Sequence, residues 1–390
     1  MKSIKGLFAI AAAATLSLSL AACGGTDTPA SDDATATTDP GTTETEETTD
    51  PDAATGDLKI GIALPQKTSQ NWVEAEGMFT ENCESSGVEC IIQFANSGAA
   101  EQQNQIATMI ENGVNALIIG AVDGSQLGTQ LAQAKAAGIP IIAYDRLLTN
   151  TTDIDYYIAY DNFQVGELQG QALLEGLEKI KTGKDKWTIE LIAGSPDDAN
   201  SLKFFDGAMS VLTPKIDDGT LSIPSGQKEF NQVSTQGWDP KNVQTRMDTI
   251  LSANYSGDDV MDGVLSPNDT LGRAAITSVE QAGKDLPVVT GQDSEDESVT
   301  WVTQGKQYST IYKDTRTLVE ASLALAIDAA SGNDAPDVAG ATINDTDYES
   351  QEGNPVVSYL LTPQIVTADN AADVYANDET RLELVKKAQE

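Results

Sequence analysis

The chain has no histidine in 390 residues. That removes Ser-His-Asp and Cys-His catalysis, the commonest general base and the commonest zinc ligand together. Any enzymatic chemistry would have to run on carboxylates, lysine, tyrosine or a cofactor. Basic residues are scarce as well: 23 Lys and Arg stand against 60 Asp and Glu, for a formal net charge of -37. Phosphate backbones and anionic lipid surfaces repel so acidic a protein, which argues against nucleic acid as a partner and says more about solubility than about fold. There are only three cysteines, with no cysteine cluster, no phosphate-cradling glycine loop and no complete calcium loop. No cofactor and no metal are expected.

What is present begins with a short basic start (Lys2, Lys5), an apolar stretch from Leu7 to Leu20, and Ala21-Ala22-Cys23-Gly24. Residues 1–23 have the order of a signal peptide and are short for a membrane span. The Leu20-Ala21-Ala22-Cys23 ending resembles a bacterial lipobox, in which Cys23 takes the lipid and becomes the mature N-terminus. An ordinary signal peptide with a chance cysteine is the alternative. Residues 24–57 are Thr, Asp, Glu, Ala, Gly, Pro and Ser with no basic residue. Such a segment cannot bury enough surface to offset chain entropy, and it reads as a disordered, extended tether. In an exported chain Cys83 and Cys90 form an even pair, and both a disulfide and two small buried thiols fit their spacing.

From Leu58 onward, strand and helix patterns alternate without tight hairpin signals, which predicts α/β architecture with doubly wound parallel sheets. Ile139-Pro140-Ile141-Ile142-Ala143-Tyr144 reads as a buried strand delivering Asp145 and Arg146 to a sheet edge. A second αβ series starts at Trp187, and its strands also end in Asp or Asn. Asp145, Arg146, Asn200, Asn268, Asp293 and Lys313 collect at such ends, with Trp72 and Trp238 in loops. Amides, carboxylates and cations bridge neighbouring hydroxyls, and an indole covers the C–H face of a pyranose, so the set describes a neutral sugar site.

Each residue has a plainer reading. Asp or Asn at a strand end is often a helix N-cap, and a tryptophan is often core. Asp145 and Arg146 are adjacent, so both can enter one cleft only if the strand has ended by Tyr144; otherwise they make a surface ion pair. Trp187 and Trp301 are assigned to packing. Lys67, Asn71, Asp161, Asn162 and Asp198 are secondary candidates. Carboxylates at Asp161, Asp197 and Asp198 could alternatively serve glycoside hydrolysis, although neighbouring Arg146 or Lys313 would hold such groups ionised, the wrong setting for a general acid.

The runs Ala143-Tyr144-Asp145-Arg146-Leu147, Tyr160-Asp161-Asn162-Phe163-Gln164-Val165-Gly166, Gly194-Ser195-Pro196-Asp197-Asp198, Leu265-Ser266-Pro267-Asn268-Asp269, Gly291-Gln292-Asp293 and Ser358-Tyr359-Leu360-Leu361-Thr362-Pro363 occur in one order. In this the chain resembles the extracytoplasmic sugar-binding proteins of ABC importers, in the xylose-binding and multiple-monosaccharide-binding branch. The resemblance implies two lobes joined by three crossovers: residues 58–161 plus 313–353, and 162–312 plus 354–390. It implies that Trp72, Asp145, Arg146, Asn200, Trp238, Asn268, Asp293 and Lys313 bind a monosaccharide such as xylose, glucose or galactose. It further implies a monomer that delivers sugar to a membrane permease from the outer face of a bacterial cell membrane, held there by lipid on Cys23. A sensor that presents sugar to a receptor would share this site. Where the family often has Arg and Asn, this chain has Asn71 and Ala199, which bears on the preferred sugar.

Overall fold

The computed structural model describes residues 58–390 apart from Thr68 and Ala335. The expected signal peptide, Cys23 and the tether lie outside the described residues. Short aliphatic runs form β1 (Lys59–Leu64), β2 (Glu89–Phe94), β3 (Ala116–Ile119), β4 (Ile141–Tyr144) and β5 (Tyr156–Tyr160), interleaved with α1 (Gln70–Ser86), α2 (Ala99–Glu111) and α3 (Gly128–Ala136). The second series comprises α4 (Asn162–Ile180), β6 (Trp187–Leu191), α5 (Ala199–Asp217), β7 (Leu221–Ser222), α6 (Phe230–Val233), α7 (Pro240–Asn254), β8 (Gly263–Leu265), α8 (Asp269–Gln281), β9 (Val288–Val289), α9 (Asp296–Thr303) and β10 (Ser309–Tyr312). The chain finishes with α10 (Thr315–Ser331), β11 (Ala341–Asn344), β12 (Glu349–Gln351), β13 (Asn354–Pro355), β14 (Ser358–Leu361), β15 (Gln364–Thr367), α11 (Ala371–Val374) and α12 (Glu379–Ala388).

The larger sheet runs β11-β14-β5-β4-β3-β1-β2, parallel except at β11, and the smaller runs β7-β6-β8-β9, all parallel. In both, the second strand lies outside the first and the third lies on its other side. That order leaves a crevice at the carboxyl ends of β1 and β3, and again at β6 and β8, where open α/β sheets take ligands. Side chains alternate across the larger sheet. Ile60, Ile62, Ile118 and Ile142 pack with Phe79 of α1 and Leu325 of α10 on one face, while Leu117, Ile119, Ile141 and Ala143 meet Ile106 of α2 and Leu131 of α3 on the other. Helices on both faces explain why these strands are continuous apolar runs. Cys83 in the last turn of α1 and Cys90 at the start of β2 are bridged, with Cα atoms 6.1 Å apart.

In the second lobe α4 and α5 cross at glycine: a Cβ on Gly166 would stand 2.0 Å from the Phe204 carbonyl oxygen, and one on Gly207 would stand 2.1 Å from that of Phe163. This contact fixes the first turns of α5, which carry Asn200.

One expectation needs correction. The final lobe boundary does not fall at residue 354. β14 pairs in parallel with β5, Ser358 opposite Tyr157 and Leu361 opposite Tyr160, so the chain leaves the first lobe only between Leu361 and Gln364. Ser358–Leu361 is wholly buried, and a short apolar run carries no mark of which sheet it completes. The polar stretch before it contains β11 and the antiparallel hairpin β12–β13, turned at Glu352-Gly353.

Candidate functional site

β4 stops at Tyr144, and Asp145 takes a left-handed φ of 60°. The turn is held by the Asp145 N–H donating to the Ile158 carbonyl at 2.8 Å and the Arg146 N–H donating to that of Tyr144 at 2.6 Å. It removes the alternation of a strand, and both side chains line the same cavity. Arg146 is 8% exposed. Its Nη1 donates to the Ala121 carbonyl (2.9 Å), its Nε pairs with Asp198 Oδ2 (3.1 Å), and its guanidinium lies 5.4 Å from the centre of the Trp72 ring.

The opposite wall comes from the carboxyl edge of the smaller sheet. Asp198 is the N-cap of α5, where Oδ1 accepts from the Asn200 N–H (3.0 Å), while Oδ2 meets Arg146 and accepts from Trp238 Nε1 (3.2 Å). Asn268 is the N-cap of α8 through Oδ1, which accepts from the Leu271 N–H (3.0 Å), so its Nδ2 is the group left for the cavity. Asp293 has φ 94°, its neighbour Ser294 φ 50°, and its carboxylate pairs with Lys313 Nζ at 2.9 Å. Trp238 has φ 53° and sits on Gly194, where a Cβ would stand 2.2 Å from the indole.

Five non-glycine residues among those described have positive φ; three of them line the cavity and Ser294 adjoins it. Each such residue costs of order 1–3 kcal/mol and persists only where the surroundings enforce it, as at ligand clamps.

All eight primary candidates line one cavity with about 360 Å³ of space free of atoms, part of it open to solvent; Asn71 and Asp198 line it too. An adjoining space of about 330 Å³ shares Asn71, Trp72, Asp145, Asp293 and Lys313 and reaches Tyr160 and Leu318. Asn200 spans the walls, donating to the Asp145 carbonyl (2.7 Å) and accepting from the Tyr157 hydroxyl (3.1 Å). Much of its amide is therefore spent on joining the lobes.

Three secondary candidates fall outside this cavity. Lys67 pairs with Glu76 (2.6 Å) and lies over the Phe94 ring. Asp161 is spent capping α4, accepting from the Phe163 and Gln164 N–H groups. Asn162 donates to the Tyr157 hydroxyl (3.0 Å), one step behind Asn200. Sequence reasoning missed Ser69, Phe204 and Gln292, which line the cavity. Phe204 follows Asn200 by four residues, the spacing that shares a helix face, and Gln292 lay inside a quoted motif. Trp187 is buried and Trp301 is half-buried under Lys306.

The cavity holds three carboxylates, Asp145, Asp198 and Asp293, against two cations, Arg146 and Lys313. Both cations are already paired. Desolvation raises the Asp145 pKa above 3.8, with Lys313 and Arg146 opposing and Asp198 and Asp293 reinforcing. Burial alone would lower that of Lys313, but Asp293 and Asp145 outweigh it and the net shift is upward. The Asn71 Oδ1 and Gln292 Oε1 atoms are buried with no hydrogen-bond partner among the described residues. Buried acceptors without partners cost about 1–3 kcal/mol each, and a hydroxyl-bearing ligand would satisfy them.

A family model described as periplasmic binding protein domain matches residues 60–334. The multiple sugar-binding periplasmic receptor ChvE of Rhizobium radiobacter is 41% identical over 316 residues, which cover 80% of this chain and 87% of the relative. The D-xylose-binding periplasmic protein of Escherichia coli is 31% identical over 323 residues, 83% of this chain and 90% of the relative. Among solved structures, an ABC transporter solute binding protein from Clostridium phytofermentans with bound β-D-glucose superposes with a TM-score of 0.76 at 34% identity, covering 83% of this chain and 99% of that one. The matched region spans most of the chain and contributes to both walls of the cleft, and the chain belongs to the periplasmic binding protein family.

Proposed function

We propose that the cleft captures one uncharged monosaccharide between the two lobes and hands it to an ABC import permease. One observation carries this reading: side chains from both lobes converge on a single cavity that offers a free Asp145 carboxylate, the Asn268 amide, two unpartnered amide oxygens and two indoles. Carboxylates and amides of this kind bridge vicinal hydroxyls, and indoles cover apolar ring faces. Relatives named for sugar binding, and structures named with glucose, support the same reading. Both cavity cations already have carboxylate partners, and carboxylates outnumber them. A uronic acid would add a further negative charge to that excess, so neutral aldoses fit better.

Closure follows if sugar binds the closed arrangement more tightly than the open one, since differential affinity alone shifts a population. The Arg146–Asp198 pair and the Asn200 bonds to Asp145 and Tyr157 form only with the lobes together. The residues proposed to touch sugar are the eight primary candidates, with Asn71 and Gln292 added. We read the site as binding without turnover: Asp198 and Asp293 are ion-paired and Asp161 is a helix cap, so none has the setting of a general acid. The family supports an extracytoplasmic location. We extend this to a lipid on Cys23, a tether over residues 24–57 and a monomeric protein beside its permease, where anchoring raises local concentration. No helix among the described residues is long and apolar enough to cross a membrane.

Calorimetric titration with D-glucose, D-xylose, D-galactose, L-arabinose and galacturonate tests the reading. Saturable 1:1 binding of a neutral aldose is expected, with a smaller radius of gyration in the complex. Failure of every neutral sugar would overturn it, as would hydrolysis of an aryl glycoside on long incubation.

A further inference from the structure

Arg381 lies on α12, near the end of the chain, and does not line the cavity, yet it is 7% exposed. Its planar fork makes three bonds. Nε donates to the Ser294 carbonyl at 2.8 Å, Nη1 meets Asp378 at 2.9 Å, and Nη2 meets Glu74 at 3.0 Å. Its guanidinium also stands 5.6 Å from the centre of the Tyr312 ring, on the strand that enters the second crossover. These partners belong to different parts of the machine. Ser294 follows the cavity residue Asp293, and both hold left-handed backbone. Glu74 lies two residues beyond Trp72, on α1 of the other lobe.

We propose that Arg381 is a positioning residue that ties lobe closure to the Asp293–Ser294 ligand loop through Glu74. This rests on the two-lobed clamp reading above. The strained loop is braced from three sides within its own lobe: Arg381 on the Ser294 carbonyl, Tyr375 Oη on Ser294 Oγ (2.7 Å), and Thr310 Oγ1 on the Ser294 N–H (3.1 Å). Strain of this kind persists only while such braces hold. The Glu74 contact is different, because it exists only with the lobes together. It has a companion on α1: Gln70 Nε2 donates to Glu74 Oε1 (2.7 Å), and Gln70 Oε1 accepts from the Asp296 N–H (3.0 Å) in the second lobe. When the lobes part, Arg381 loses Glu74 and keeps Asp378 and Ser294. Closure therefore adds a charged bond to the guanidinium that holds the loop carrying Asp293, and sugar leaves only after that bond breaks. A lysine could satisfy one of these partners at a time, whereas the guanidinium reaches all three.

The test uses the full chain with D-glucose and D-xylose as probes, in wild type, Glu74→Gln, Arg381→Lys and the double variant. Stopped-flow kinetics should show dissociation faster by roughly 5- to 20-fold in each single variant, with association within about twofold. The double variant should be no worse than the worse single one, because both break the same contact. In sugar-saturated protein, backbone hydrogen exchange over residues 293–296 should quicken in Glu74→Gln as well as in Arg381→Lys, although Glu74 lies on the other lobe; in sugar-free protein it should quicken in Arg381→Lys alone. Wild-type dissociation and exchange in Glu74→Gln would overturn the proposal, even with a strong effect of Arg381→Lys, which would then be a brace confined to its own lobe. Failure of wild type to bind either sugar would overturn the proposed function and this inference with it, whereas sugar binding in wild type with no change in Glu74→Gln would overturn this inference alone.

Discussion

On the first-lobe side of the cleft, Trp72, Asp145 and Arg146 cap no helix, and Asp145 sits at a strand end where burial penalises its charge. On the second-lobe side, Asp198 and Asn268 each cap a helix with one atom and face the cavity with another. Capping and binding were rival readings of a strand-end Asp or Asn, but in the second lobe one side chain does both. Residues there should therefore contribute to stability and affinity together. Asp145 should contribute affinity at some cost to stability.

The largest effect is expected from Asp293→Ala. It removes a sugar acceptor and leaves Lys313, whose side chain is 11% exposed, without its ion-pair partner. Breaking a buried pair costs about 3–5 kcal/mol of folding stability, and calorimetry should show a loss of affinity of about 1–3 kcal/mol for each hydrogen bond the sugar loses. Near-wild-type affinity would remove Asp293 from the site. Next is the bridge in the first lobe, which has no counterpart among the second lobe's described residues. Replacing Cys83 and Cys90 with serine should lower unfolding stability by about 2–3 kcal/mol in urea titrations. Sugar affinity should stay put, because Cys90 opens β2 at the end of the strand remote from the cleft.

Asn268 separates the two duties. Asn268→Ala should lose about 1 kcal/mol of stability with the cap and a similar amount of affinity with the amide donor. Asn268→Asp keeps an oxygen for the Leu271 N–H and should lose affinity alone. Equal stability losses in both variants would show that the cap is not what Asn268 supplies.

The smallest effect is in the pH dependence of Asp145. Its folded pKa is raised above 3.8, so the folded state keeps the proton to higher pH than the unfolded chain does. The group's stabilising contribution is present below the unfolded value and is lost as pH rises through the folded one. At neutral pH Asp145→Asn should therefore raise stability slightly while weakening sugar binding. In wild type, affinity should fall as acid protonates Asp145, and the variant should lack that limb. An identical acid limb in both proteins would assign it to another group. Lys313 works at the other end: its folded pKa is raised above 10.5, so its stabilisation is present below that value and fades as pH rises through the folded one.

Much of the fold was legible because parallel strands buried on both faces read as unbroken apolar runs, and their ends were marked by charge. Helix α1 and the long α10 each end at a glycine in left-handed backbone, Gly87 and Gly332. Ser358–Leu361 was placed in the wrong lobe because its partner β5 lies some 200 residues earlier, and pairing across that distance leaves no local trace. Gln292 and Phe204 were missed for a similar reason. One sat beside a stronger candidate, and the other looked like core.

The sequence by itself determined which chemistry is excluded, the alternation of strand and helix, and the set of polar residues delivered to sheet edges. These follow from composition and from periodicities of two and 3.6, which are local. Only the tertiary structure decided that Asp145 leaves the strand in left-handed backbone, that Arg146 and Lys313 are spent on Asp198 and Asp293, and that Arg381 reaches Glu74. Those outcomes depend on which surfaces meet when two lobes built from discontinuous segments close on one another, and no window of neighbouring residues contains that information.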